Sequence, residues 1–203
     1  MPDSTKIESL FATQIYRAQL PARLNTDLAK TCLSLAAEDR AGQRWSKQHG
    51  YRGYTSYASL DDLPQRASVF ADLVSVIDRH VRTFGKALDY TQTKPTLDSL
   101  WANVMDEGAV HTGHIHPHSA ISGTYYVALP QNASAIRFED PRLPLMMSAP
   151  PKRENAKRRN QPFVTVVPKP GTLLLWESFL RHEVPQNDAR GKRISMSFNY
   201  TMR

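Results

Sequence analysis

The stretch that decides the reading is GHIHPHSAISGTYYV, residues 113–127. It sets His114 and His116 in an H-x-H pair, breaks at Pro117, and runs on into a segment rich in Tyr and Val. In extended backbone alternate side chains share a face, so the two imidazoles point the same way about 7 Å apart and can chelate one cation. A histidine-rich polar loop in water fits the same spacing, because H-x-H is short and common. A metal centre needs a third ligand, and LLLWESFLRHEVPQN, residues 173–187, offers His182.

Outward from that stretch the C-terminal half reads as β-structure. Strands are expected over 97–105, 124–129, 135–138 and 163–167, with a turn at 106–108. Pro170 and Gly171 suit the central positions of a type II turn, which returns the chain into a strand over 172–176. In the last strand, 193–201, Ile194, Met196 and Phe198 point one way and Arg193, Ser195, Ser197 and Asn199 the other. In an ordinary half-buried strand that polar row is in water. In a barrel that holds a small anion it faces the cavity, where an arginine forks onto a carboxylate and a serine adds a hydrogen bond.

The N-terminal half reads differently. Residues 7–20 mix β-branched and aromatic side chains with no helical period and suggest an opening strand. Leu24, Leu28, Cys32 and Leu35 recur at three- and four-residue steps, which predicts a helix over 25–42 with Asn25 or Thr26 as its cap. The segment 45–57, rich in aromatic, Gly and Ser residues, reads as loop or short strand. A longer helix over 63–88 carries a stripe of Phe70, Leu73, Val74, Ile77, Val81, Phe84 and Leu88 and should pack on a sheet; His80 beside it reads as an ordinary helix histidine. Two helices followed by seven or eight short strands argue for an α+β protein whose strands close into a sandwich or barrel.

Composition narrows the class. A chain of 203 residues with 40% hydrophobic content makes one domain. Cys32 is the single cysteine, which excludes an intrachain disulfide and a Cys-based zinc site and suits a reducing cytoplasm. MPDSTKIESL at the start lacks an export-signal pattern and no apolar run reaches bilayer length, so a soluble chain with no membrane partner is expected. The net charge of +7 concentrates in Lys152, Arg153, Lys157, Arg158 and Arg159 against Glu154. The segment 143–162 that carries them reads as a solvated loop, or as a lid or contact for an acidic partner such as nucleic acid. No aromatic residue interleaves with the basic ones, which weakens a stacking-type nucleic-acid site.

Taken together, H-x-H-P, S-G-x-Y-Y-V, P-x-P-G-x-L-L-L-W, H-E-V-x-x-N and R-x-S-x-S-F-N resemble a family of mostly bacterial 2-oxoglutarate/Fe(II) oxygenases and, more distantly, the prolyl hydroxylases. The resemblance covers roughly residues 97–203. It implies a double-stranded β-helix, a jelly-roll, cupin-like barrel with the N-terminal helices packed on one sheet. The chain would be a single domain, about 1–95 being helical cap and support and about 96–203 the barrel core. It implies iron ligation by His114 and His182, with His116 where Asp or Glu normally stands. Arg193 would bind the distal carboxylate of 2-oxoglutarate with Ser195 beside it, Tyr126 would be a further cosubstrate contact, and Asn103 would line the same pocket. On its own, Tyr126 is equally a core aromatic.

Three neutral imidazoles leave Fe(II) at +2, so that the doubly negative cosubstrate yields a neutral complex, whereas the usual triad contains a carboxylate. Asp106, Glu107 and Glu183 are alternative donors, although Glu183 adjoins His182 and should face away from it in extended backbone. The implied activity is that of an Fe(II)- and 2-oxoglutarate-dependent dioxygenase of hydroxylase type with an unidentified prime substrate. Competing readings are a noncatalytic cupin-like metal- or ligand-binding module and a three-histidine iron dioxygenase that does not use 2-oxoglutarate. Because ligating imidazoles must be neutral, iron affinity is expected to fall below about pH 6.5. A symmetric homodimer is the default assembly.

Overall fold

The structure is a computed structural model that describes residues 5–92 and 94–203. Its first strand, β1 (Ile15–Gln19), is shorter than the expected 7–20. It pairs antiparallel with a later strand over Thr172 to Trp176, and residues 5–13, upstream of that ladder, are exposed, so their β-propensity has no partner to act on. α1 (Asn25–Glu38) buries Leu28 and Cys32. Asn25 does not cap it. The Asn25 amide instead donates to the Val127 carbonyl at 2.8 Å and accepts from the Tyr125 hydroxyl at 2.5 Å, which ties the start of the helix to the sheet.

The helix expected over 25–42 is two helices. Asp39 leaves helical backbone (φ −75°, ψ 87°) and its carboxylate caps α2 (Arg40–Gln48), accepting from Gly42 N–H at 3.0 Å, the Tyr54 hydroxyl at 2.9 Å and the Ser59 hydroxyl at 2.5 Å. Gly42 is required there, since a Cβ would collide with Asp39 and the Tyr54 ring. α2 runs into the stretch expected as loop or strand over 45–57. Its sequence RAGQRWSKQ has no apolar stripe for periodicity to detect, and only β2 (Gly53–Thr55) in that stretch is extended. The second expected helix is likewise divided, into α3 (Leu63–Arg66) and α4 (Ser68–Ala87), by Ala67 in extended backbone.

Eight strands follow: β3 (Pro95–Met105), β4 (His111–His114), β5 (Ile121–Ala128), β6 (Ile136–Glu139), β7 (Phe163–Val166), β8 (Thr172–Glu177), β9 (His182–Val184) and β10 (Arg193–Met202). They build two antiparallel sheets, ordered β1-β8-β5-β10-β3-β2 and β4-β9-β6-β7. The turn into β8 has the expected form: Gly171 has φ +84° and the Thr172 N–H donates to the Lys169 carbonyl at 2.9 Å. The segment between β6 and β7 carries two short 3-10 turns, and its basic side chains are exposed.

The larger sheet has two unlike faces. Leu100, Ala102, Val104, Ile194, Met196 and Phe198 pack with Leu73, Ile77 and Phe84 of α4 in one core. The opposite face holds the polar row of β10, and it is not in water: Arg193 and Ser195 are each 2% exposed. That face looks toward the smaller sheet. No helix among the described residues is long and apolar enough to cross a membrane.

Candidate metal centre

Strand register assembles the site. Opposite residues on neighbouring strands share a face, so Asn103, Ser195 and Tyr126 form one row across β3, β10 and β5, and Trp101, Ser197 and Thr124 the next. A register shift between Ile194 and Ser195 makes Tyr126 the partner of Ser195.

Arg193 starts this polar face. Its Nε donates to the Ser134 carbonyl at 3.1 Å, one terminal nitrogen reaches Met105 Sδ at 3.3 Å and Ser195 Oγ at 3.4 Å, and the guanidinium lies 5.3 Å from the Tyr126 ring centroid. Among the described residues no carboxylate pairs with it. A buried cation without a counter-charge is costly, and so is a buried polar atom without a partner. Four such atoms lack a partner among the described residues: Asn103 Oδ1, the Tyr126 hydroxyl, Ser134 Oγ and Trp176 Nε1. Three of the four belong to residues beside Arg193 or Ser195, and the fourth to a neighbour of His182. Asn103 and Tyr126 flank Ser195, Ser134 holds Arg193, and the Trp176 ring sits 4.7 Å from that of His182. Buried polar atoms without a partner are rare in folded proteins, and a bound ligand is one way to satisfy them.

The imidazoles arrive from three directions. His114 ends β4 and stands opposite His182 on β9. His116 is not on that strand, contrary to the expectation that the pair shares extended backbone. It follows the strand end, and its N–H donates to the Ser178 carbonyl at 3.0 Å, an anchor that turns its ring inward. One nitrogen from each of His114, His116 and His182 lies within 4.8 Å of the other two. His114 Nδ1 is 2.7 Å from the Thr112 carbonyl and His182 Nδ1 is 2.9 Å from the Leu180 carbonyl. A carbonyl only accepts, so each Nδ1 carries the proton and each Nε2 keeps its lone pair, that of His182 facing His116 Nε2 at 3.3 Å. Orienting contacts of this kind are what metal-binding histidines need.

Among the described residues no carboxylate joins the group. Asp106 pairs with Lys192, Glu183 accepts from Arg137 Nε at 2.6 Å, and Glu107 is exposed. Burial, with the neighbouring His114 adding to it, lowers His116 to about 4 and His182 to about 3. Burial therefore favours the neutral form of these two imidazoles, the form that metal ligation needs.

Several residues here carried no role in the sequence reading. His111 Nε2 is 2.8 Å from the Tyr51 hydroxyl, and burial first, then Arg193 and His114, push this histidine down to about 3. Its place three residues before His114 was its only signal. Trp176 could have been found by strand alternation with Leu174. Tyr51 and Ser134 have no signal in sequence, since they reach the site from loops.

The buried imidazoles set an acid limit on the metal-free protein. His111, His116 and His182 stay neutral when folded but take protons near pH 6.5 when unfolded. Their contribution is whole above pH 6.5 and is lost as pH falls toward about 3 to 4, with a slope of up to about 1.4 kcal/mol per pH unit for each. Urea unfolding in EDTA should show lower stability at pH 5 than at pH 7. A flat profile over that interval would contradict neutral burial.

Comparison with known proteins adds to this geometry. Residues 99–199 match a family model described as "Putative 2OG-Fe(II) oxygenase". No curated protein sequence matches the chain. Among solved structures the chain is similar to a Pseudomonas putida prolyl-4-hydroxylase, with TM-score 0.62, 16% identity and 94% of each chain covered. It is similar to the epimerase SnoN in complex with Fe3+, alpha ketoglutarate and nogalamycin RO, with TM-score 0.63, 14% identity, and 93% of this chain and 79% of that one covered. A viral collagen prolyl hydroxylase from Paramecium bursaria Chlorella virus-1 gives TM-score 0.54 at 10% identity, covering 92% and 96%. At such identities the likeness is one of fold.

Proposed function

Over residues 99–199 the chain belongs to the 2-oxoglutarate/Fe(II) oxygenase family, and we propose that His114, His116 and His182 hold its iron while Arg193, Ser195, Tyr126 and Asn103 form its cosubstrate site. The protein is an Fe(II)- and 2-oxoglutarate-dependent dioxygenase. In this reading the two sheets are the halves of a double-stranded β-helix, or jelly roll. Residues of about 96–203 form its core, the N-terminal helices support it, and the whole is one domain. The buried lone Cys32 suits a cytoplasmic setting.

The residues fit the group they would hold. The imidazoles of His114 and His182 present Nε2 lone pairs, that of His182 toward His116, and among the described residues no carboxylate pairs with the buried guanidinium. When bound, Fe(II) and 2-oxoglutarate would supply dioxygen activation coupled to decarboxylation of the keto acid to succinate, with oxidation of a substrate C–H bond. The chain's own residues do the rest. The carbonyls of Thr112 and Leu180 fix the ring orientation of His114 and His182. The Ser134 carbonyl holds Arg193 through Nε and the long contacts to Met105 and Ser195 hold one terminal nitrogen, which leaves the other for a carboxylate. Exchanging those long contacts for a second carboxylate oxygen would complete a fork, with Ser195 and the Tyr126 hydroxyl adding hydrogen bonds. Asn103 spends Nδ2 on Ser197 and lines the same space with Oδ1. Burial of Arg193, Ser195, Tyr126, Asn103 and His182 excludes water from them and strengthens the charge interactions they make.

The observations that carry the proposal are three convergent imidazoles and, on the inner face of the larger sheet, a buried Arg193 that no carboxylate among the described residues pairs with. Anaerobic titration of the Fe(II)-loaded protein with 2-oxoglutarate should produce a metal-to-ligand charge-transfer band. Bound metal without a band would favour a cupin-like binding module or an iron enzyme that needs no keto acid.

A further inference from the structure

Along β10 away from Arg193, the inner face of the larger sheet loses all charge. Ser197, Thr124, Ser99, Asn199 and Ser122 succeed one another there, and they satisfy each other. Ser122 donates to Asn199 at 2.8 Å, Asn199 donates to Ser99 at 3.0 Å, the Thr124 and Ser197 hydroxyls are 3.2 Å apart, and Ser122 pairs with Ser178 at 2.7 Å. Each of these groups already has a partner, Ser99 also donating to Asp98 at 3.4 Å. The exception on this face is Trp101, opposite Ser197, whose ring centroid is 5.9 Å from that of His116. Tyr57 packs edge-on against the indole at 5.1 Å and is itself 59% exposed. Two aromatic rings therefore lead from solvent to the side of His116. The His116 N–H bond to the Ser178 carbonyl brings the chain neighbours Ile115 and Phe179, both half exposed, to the same rim.

We infer that Tyr57 and Trp101 form the subsite for the prime substrate, and that it takes an uncharged group with a flat or compact apolar face, an aromatic or alicyclic ring. The inference rests on the reading of the three imidazoles as an iron site. A ring laid against Trp101 and Tyr57 gains aromatic contact beyond simple burial and stands beside the metal. A charged group in the same place would lose its water and meet only hydroxyls already engaged, a desolvation without compensation. The substrate's charged parts, where it has any, stay outside the rim.

The test uses the full chain loaded with Mn(II) in place of Fe(II) and saturated with 2-oxoglutarate, so that Arg193 is occupied. Paramagnetic broadening of probe protons reports binding, and the Mn(II) EPR signal reports metal occupancy independently. Phenylacetamide represents a ring on a free small molecule, N-acetyl-L-phenylalaninamide a ring on a peptide, and phenylacetate is the charged match of the first. At least one of the two neutral probes should broaden, the stronger one identifying the source, and phenylacetate should bind at least about tenfold more weakly. Tyr57→Ala should weaken the neutral probe by about three- to tenfold and Tyr57→Phe should restore it, both with an unchanged EPR signal. Tyr57 is exposed, so neither variant threatens folding. Equal binding of phenylacetate, or indifference to Tyr57→Ala, overturns the inference, as does bound Mn(II) with no broadening. Absence of Mn(II) binding removes the metal reading and this one together.

Discussion

His182→Ala should lower Fe(II) affinity by more than about 100-fold and abolish 2-oxoglutarate turnover. Losing a contact that merely orients a metal-bound histidine already costs about 10- to 100-fold. His182 is a proposed donor itself, 5% exposed, with its Nε2 turned toward His116 at 3.3 Å and its Nδ1 committed to Leu180. Removing it leaves two imidazoles, and among the described residues no carboxylate is close enough to join them. The informative control is His111→Gln. This histidine belongs to the same sequence cluster and is buried beside the site, yet its Nε2 is engaged by Tyr51 and it falls outside the metal-competent group. Its variant should keep Fe(II) affinity within about threefold of wild type, since it disturbs at most an outer contact of the centre. Isothermal titration under anaerobic conditions measures both. Wild-type affinity in His182→Ala would overturn the ligand assignment, and a collapse in His111→Gln would mean that a different set of imidazoles holds the ion.

The second large effect falls on Arg193 and has two ends. Arg193→Leu should raise the Kd for 2-oxoglutarate by about 30- to 5000-fold, because truncating one partner of a buried charge pair costs about 2–5 kcal/mol. Fe(II) affinity should be unchanged, since Arg193 donates to Ser134, Met105 and Ser195 and to no imidazole. The ligand-free variant should be as stable as wild type or more so. It exchanges a buried cation that no carboxylate neutralises for an apolar side chain of smaller volume, and apolar replacements of buried charge are often neutral or stabilising. Arg193→Lys keeps the charge but loses the fork and should fall between. Weaker cosubstrate binding together with retained or increased stability in urea is the signature of a binding residue. A large stability loss with unaltered cosubstrate affinity would make Arg193 a structural residue instead.

Much of this frame was legible in the chain. The α4 stripe from Phe70 to Phe84 and the alternation of Ile194, Met196 and Phe198 against Arg193, Ser195 and Ser197 are repeats within single elements, and both emerge as buried faces. The Pro170-Gly171 turn was equally plain, because only a left-handed position demands glycine so strictly. The boundaries failed where one side chain overrode the pattern. Asp39 ends one helix and caps the next by collecting hydrogen bonds from Gly42, Tyr54 and Ser59, two of which come from beyond α2. Nothing local in 25–42 announces that break.

What the sequence by itself determined is therefore periodic and local: which strand faces are apolar, where the chain turns, and which histidines and which arginine are candidates for chemistry. Only the tertiary structure decided what surrounds them. It brought His116 against His182, 66 positions away, and Tyr51 against His111, 60 positions away. It turned the polar row of β10 inward, left Arg193 without a carboxylate among the described residues, and lowered the buried imidazoles below their ordinary pKa. The physical reason is that side-chain direction follows from backbone geometry within one element, whereas burial and charge pairing depend on groups that meet only when both sheets have packed.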